Sequence, residues 1–348
     1  MHGRIINSIV FLALCGLCCS GRDLAVEKRV SVDFQDEYVI TSVDTGPKHL
    51  LVTPYRMALD GQKRLYVLDL KESDVKVFDE KGHLVRVIGR LGEGPGELDA
   101  PSGIAICGNE LAVSCTAARR LTFFDVRDGS YLRMIRMTES FSDFRLDSKG
   151  NLYADVTDPR ARTVKFQKYD SGLRLLKTFV TREWFPPNWF QTGDWIDVRN
   201  DDTLLYAHPL NHEYKILVFD AEGNIVDTIR KDFVPVSIFA EDRAEVEGMM
   251  KNSPKIDGFF DRIPNHYEPF YAMFTDDAGR IFVQTRIRRN PRVLSWDVFS
   301  REGEFLCSFD LAGSEPNSIL WRNNRVYSRG EDADGNPTIR VRKIIWKD

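Results

Sequence analysis

Short apolar strands bounded by turn residues recur along the whole chain. One apolar triplet starts at residues 65, 111, 152, 205, 281 and 326: Leu65–Val67, Leu111–Val113, Leu152–Ala154, Leu205–Ala207, Ile281–Val283 and Val326–Ser328. Each follows a turn built from Asp, Gly or Asn, at 60–61, 108–109, 149–151, 200–202, 278–279 and 323–324. A second hairpin lies downstream of the first five, as in Val77–Asp79 followed by Gly82, or Val218–Asp220 followed by Gly223. In each, aromatic and β-branched residues alternate and a returning apolar strand such as Leu84–Ile88 follows the turn, which is the pattern of antiparallel β-hairpins.

Four strands per repeat and six repeats of about 45 residues predict an all-β fold, a six-bladed β-propeller of four-stranded antiparallel blades. The sixth repeat stops short. After Val326 only the run Thr338–Trp346 remains, so a strand from the N-terminal side, Glu37–Val43, is expected to complete the last blade and remove its open edge. Two segments break the period: 180–193, between blades three and four, and 230–268, between blades four and five. Within the second, Ala240–Met250 reads as a short helix that Ser253-Pro254 follows and ends.

The sharpest stretch of the repeat is Gly89–Val113, in which a glycine-rich connector (Gly92, Gly94, Pro95, Gly96) enters Pro101, a strand, a tight turn and a second strand. This stretch resembles an NHL repeat, and the array over 37–348 resembles the six-bladed propeller lipoproteins of bacteria, with TolB-like propellers as more distant relatives. The resemblance implies a blade and carries no activity with it.

Composition and the first residues set the compartment. Hydrophobic residues at 43% and charged residues at 29% describe a folded protein, and a net charge of −4 gives no whole-chain case for nucleic acid. Arg4 precedes an apolar run, Ile5–Cys19, too short to span a bilayer and suited to a signal segment. Its end, with Cys15, Cys18 and Cys19, resembles a bacterial lipoprotein signal, with Cys19 the favoured lipidation site, Cys18 next, and a plain secretory signal the alternative. The expected order is a signal over 1–19, a tether over 20–36 and the propeller over 37–348, exported and held at the cell envelope by a lipid anchor alone, as a monomer. Cys107, Cys115 and Cys307 have no metal-ligand spacing and read as small hydrophobes.

Strand alternation puts the blade-to-blade connectors and the loops between second and third strands on one face of the ring. The short turns lie on the other. The loop face therefore receives both long insertions, and function is expected there. It carries Arg119 and Arg120 from blade two, Arg160 and Arg162 from blade three, and Arg286, Arg288 and Arg289 from blade five, guanidinium forks suited to carboxylate, sulfate or phosphate unless acidic neighbours neutralise them. Trp184 and Trp189 can stack on a sugar or peptide, or pack against a neighbouring loop. His208 and His212 share a loop, a weak basis for a metal pair. Asp143, Asp194, Glu268 and Glu315 fall at the starts of innermost strands, where they either cap turns or ring the channel as oxygen ligands for Ca²⁺ or another divalent metal. The expectation is a binding or scaffold module for a carbohydrate, an acidic ligand or a partner protein, without cofactor. The alternative is a lyase or hydrolase using a metal in the channel.

Overall fold

The computed structural model describes residues 30–42, 51–139, 141, 143–158, 160–183, 194–208, 213–250, 265–285, 293–312 and 318–347. Blade one runs from β2 (Pro54–Leu59) through β3 (Leu65–Asp69) and β4 (Asp74–Phe78) to β5 (Leu84–Ile88). Blade two spans β6 (Pro101–Cys107) to β9 (Tyr131–Arg136), and blade three β10 (Phe144–Leu146) to β13 (Leu175–Glu183). Blade four spans β14 (Trp195–Val198) to β17 (Ile225–Arg230), and blade five β18 (Phe270–Thr275) to β21 (Phe305–Ala312). All are four-stranded and antiparallel, and the first strands of consecutive blades touch in a closed cycle around a central channel. The propeller expected from the repeat is the fold.

The core lies in the seams between blades. The second and third strands of blade one are buried on both faces, because each sheet is sandwiched between two neighbours, whereas its outermost strand β5 is only partly covered. This is why the inner strands read as continuous apolar runs rather than as strict alternation. The largest seam, between blades five and six, stacks Phe282 on Trp321 at 4.2 Å. Aspartates close the turns: Asp60 accepts the Gln62 and Arg64 amides at 2.9 and 2.8 Å and the Arg64 Nε at 2.6 Å. Asp147 and Asp276 repeat the arrangement in blades three and five.

Blade four departs from it. Arg199 stands at that turn position, its amide bonding Thr203 O, and Leu204 pairs with Val198 as Leu65 pairs with Leu59. The triplet in register with the other blades is therefore Leu204–Tyr206, one residue earlier than the apolar pattern suggests. Tyr206 turns towards blade three and stacks on Phe166 at 5.0 Å.

The glycine-rich connector is held by its own backbone. Leu98 N donates to Arg90 O at 2.7 Å and Gly92 N to Leu98 O at 3.2 Å. Gly89 sits at φ 78°, and a Cβ there would lie 2.6 Å from the Leu98 side chain, so only glycine fits.

Blade six consists of β22 (Ile319–Arg322), β23 (Arg325–Glu331), β24 (Pro337–Lys347) and, outermost, β1 (Ser31–Ile40). The closing strand starts six residues before the Glu37 expected from sequence, so 31–36 is strand rather than tether; its register runs from Ser31↔Lys347 to Ile40↔Ile339. Val32 and Phe34 pack on the seam to blade five, and Asp36 pairs with Arg342 at 3.2 Å, so even this polar stretch finds cross-strand partners. The helix α1 (Ala240–Met250) lies between β17 and β18, with Val246 packed on Val236, Ile238 and Tyr267. Cys107, Cys115 and Cys307 are free thiols. Among the described residues no helix is long and apolar enough to cross a membrane.

Removing β1 should therefore open blade six along the whole of β24. A chain truncated through Ile40 is expected to melt at a sharply lower temperature and to aggregate through the exposed strand. An unchanged Tm would disprove closure by β1.

Candidate functional site

The innermost strands enclose a channel cavity of about 160 Å³. A chain of charge-assisted contacts runs round most of its wall. Arg56 of blade one reaches Asp143, at the entry to blade three, with Nη2 3.0 Å from Oδ2. Arg145, two residues on, donates to the other oxygen of Asp143 at 2.8 Å and to Asp197 Oδ1 of blade four at 3.2 Å. Asp197 Oδ2 accepts the Thr275 amide and hydroxyl of blade five at 2.6 and 2.8 Å. Thr275 O in turn accepts a bond from Arg322 of blade six. Blade two contributes only Ile104, Ala105 and Ile106 to the lining. Burial alone would raise the Asp143 carboxyl, but Arg145 and Arg56 hold it below the usual range. Arg145 is likewise held charged, its desolvation outweighed by Asp143 and Asp197.

A second cluster lies at the loop-face end of the seam between blades three and four. Asp194, which precedes β14, has a side chain 1% exposed and accepts Arg182 Nε with both oxygens, at 3.1 and 3.0 Å. His208, just past the second strand of blade four, meets the same carboxylate through Nδ1. Desolvation of Asp194 is outweighed by the His208 hydrogen bond and the Arg182 charge, so its pKa falls. Asp155, on the second strand of blade three, goes the other way. Burial, then repulsion from Asp194, push it well above the ordinary value of 3.8 despite Arg182, and its Oδ1 has no hydrogen-bond partner among the described residues. The phenol of Tyr206 is raised by burial and by both aspartates. Two carboxyl groups whose pKa values are pushed in opposite directions thus share one seam.

The structure separates the residues singled out from sequence. Asp194 and His208, assigned there to different roles, are in contact. Asp143 and Asp194 do stand at strand entries, but each is answered by two basic groups, Arg56 with Arg145 and Arg182 with His208, and Glu268 is buried near the start of β18. Among the described residues no three His, Cys, Asp or Glu side chains are grouped so that they could hold a metal ion. Arg120 is structural: buried, it donates to Gly92 O and Glu97 O at 2.9 and 2.7 Å and pins the glycine-rich connector. Arg119, at φ 48°, bonds Thr138 O at 3.0 Å. Arg160 and Arg162 are exposed in the blade-three loop. Trp184, Trp189, His212, Arg286, Arg288, Arg289, Glu315 and the candidate lipidation site Cys19 lie outside the described residues.

Sequence reasoning missed Arg56, Arg145, Asp155, Arg182 and Asp197. All sit inside strands, where a charged residue in an otherwise apolar run was the available signal.

Residues 40–209 match the family model DUF5128, described as a 6-bladed beta-propeller. No curated protein matches the chain by sequence. In structure the chain is similar to a Bacteroides fragilis protein classed by inference as exported, at 16% identity and TM-score 0.62, over 94% of this chain and 98% of the other. It is similar also to a member of the DUF4221 family from Bacteroides vulgatus, at 11% identity and TM-score 0.61, over 91% and 99%. At these identities the likeness shows the fold.

The raised Asp155 pKa has a stability consequence. An acid whose folded pKa lies above its unfolded value contributes stability fully below the unfolded value, and that contribution is lost as pH rises towards the folded pKa. Asp155→Asn should leave Tm unchanged near pH 3.5 and raise it by several degrees at pH 7.5. An equal shift at both values would show that ionisation of Asp155 is not what the seam opposes.

Proposed function

We propose that the chain is an exported, lipid-anchored propeller that binds an acidic ligand, a carbohydrate foremost, on the loop face of its ring, with a partner protein as the alternative occupant. The observation that carries this reading is the exposed pair Arg160 and Arg162 on the loop face, beside the buried ionisable set Asp155, Arg182, Asp194 and His208, while the opposite face consists of short capped turns. Buried ionisable groups with perturbed pKa values concentrate at functional sites, and ligands occupy concave places with a few convergent polar groups. Export and a lipid on Cys19 are supported by the apolar run Ile5–Cys19 and by the exported class of the Bacteroides fragilis neighbour. The NHL-like motif around the connector supports kinship with the propeller lipoproteins. A second reading, general acid–base chemistry of the hydrolase or lyase kind, is favoured by the opposite pKa shifts of Asp155 and Asp194.

Binding to polygalacturonate should be tighter than to neutral dextran and should weaken with salt, because exposed charges are screened within about 8 Å at physiological ionic strength. Arg160→Ala with Arg162→Ala should lower the affinity several-fold without changing Tm. Equal binding of the two polymers would overturn the acidic-ligand reading. Cys19→Ser should move the protein from the membrane to the soluble fraction, and retention of an acylated protein at the membrane would place the lipid on Cys18 or Cys15.

A further inference from the structure

We propose that the channel cavity is a binding site for a small amphipathic monocarboxylate, a molecule of roughly hexanoate size with one carboxylate and a compact apolar body. This rests on the reading of the ring as an acid-binding module and names the class of acid.

Charge comes first. The lining contains three guanidinium groups, Arg56, Arg145 and Arg322, against two carboxylates, Asp143 and Asp197. Among the described residues of the lining one positive charge is left over, enough for a monoanion and too little for a polyanion. Asp277 approaches Arg322 at 3.7 Å from outside the lining, half-exposed, and a contact of that kind is weak.

Hydrogen bonding locates the excess. Asp143 divides its oxygens between Arg56 and Arg145, and Asp197 divides its own between Arg145 and Thr275. Arg145 is thus answered on both sides. Arg56 is answered at Nη2, while its buried Nε has no acceptor among the described residues. The Nε is out of a solute's reach, but the exposed part of the guanidinium can meet the planar pair of oxygens that a carboxylate supplies. The side chains of Arg56, Arg145 and Arg322 keep 14 to 24% of their exposure, so water, and hence a solute, reaches them.

The apolar arc between Arg56 and Arg145 fixes the rest of the ligand. Ile104, Ala105 and Ile106 of blade two, with Leu59 and Ile319 beside them, offer apolar side chains only. A sugar ring placed there would lose hydrogen bonds to water without replacing them, whereas an alkyl or aryl body would gain by burial. A cavity of 160 Å³ has room for on the order of ten water-sized groups. Hexanoate fills it; a polymer does not.

The test is calorimetric titration of the mature full-length chain with hexanoate, hexanamide and glucuronate at pH 7.5. Hexanoate is expected to bind, with hexanamide and glucuronate each at least tenfold weaker. Arg56→Met should weaken hexanoate at least tenfold, and Ala105→Phe, which fills the cavity from blade two without touching the ion network, should abolish its binding. Ala105→Phe keeps the proposal falsifiable should Arg56→Met fail to fold. Absence of hexanoate binding, equal binding of hexanamide, preference for glucuronate, or wild-type affinity in folded Ala105→Phe would each overturn it. None of these results bears on polygalacturonate binding through Arg160 and Arg162, so the channel site and the loop-face reading can fail separately.

Discussion

The ring exists because β1 and β24 meet. Their register joins Ser31 to Lys347, the two ends of the described chain, and turns an open row of sheets into a closed one. The entropy of closing so long a loop grows only logarithmically with its length, so the cost over a much shorter closure is modest. What closure gives in return is a sixth blade of four strands, in which β24 is paired on both sides and only the outermost strand is left as an edge, as in every other blade. It also fixes the polarity of the molecule. β24 leaves the loop face after the 332–336 turn and ends on the turn face, and β1, antiparallel to it, begins there. Both ends of the propeller therefore leave on the turn face, and the loop face is left clear for the insertion that contains α1 and for the ionisable seam.

Inside the closed ring, buried charge is tolerated where it is answered, within one blade or between blades. Lys76 is fully buried in blade one, with Asp74 at 2.6 Å and Asp69 at 3.4 Å. Around the channel no single blade could neutralise Arg145; it needs Asp143 from its own strand and Asp197 from the next blade. Removing one member of such a set leaves an unpaired charge in a low dielectric, which costs more than the pair itself contributes. The polar belt thus couples blade one to blades three, four, five and six across the top of an apolar blade two, and it ties the geometry of the cavity to the integrity of the ring.

Most of the architecture was legible in the sequence because the repeat is written in period-two strands and aspartate or glycine turns, signals that are local. Blade count, closure by an N-terminal strand and the helix at Ala240 follow from such signals. The site was legible only in part. Asp143, Asp194 and His208 were noticed because they stand at strand ends, but their partners were not, since nothing local tells that Arg182 and Asp194 will face each other or that Arg56 will cross to Asp143. Arg120 shows the converse error: a loop arginine that looks free in sequence is consumed by the carbonyls of the connector. The displaced triplet of blade four was hidden because Leu204 and Leu205 are both apolar, so hydrophobicity alone cannot choose the register.

A repeated scaffold places the same backbone position at the same height in each blade, so chemistry enters where one position is filled differently. The innermost-strand residue that pairs with the middle of the second-strand triplet is Ala58 in blade one, Ala105 in blade two, Arg145 in blade three, Asp197 in blade four, Phe274 in blade five and Leu320 in blade six. Two alanines leave space, an arginine and an aspartate supply a bonded pair, and a phenylalanine supplies an apolar wall. A uniformly alanine-filled layer would leave a featureless void, and a uniformly charged one would repel itself. The mixture produces a cavity with a polar arc and an apolar arc set at fixed angles by the ring. Selectivity in such a site is then a property of which blade carries which residue, and Arg145 cannot be exchanged with Ala105 alone, because Asp143 and Asp197 would each lose a partner.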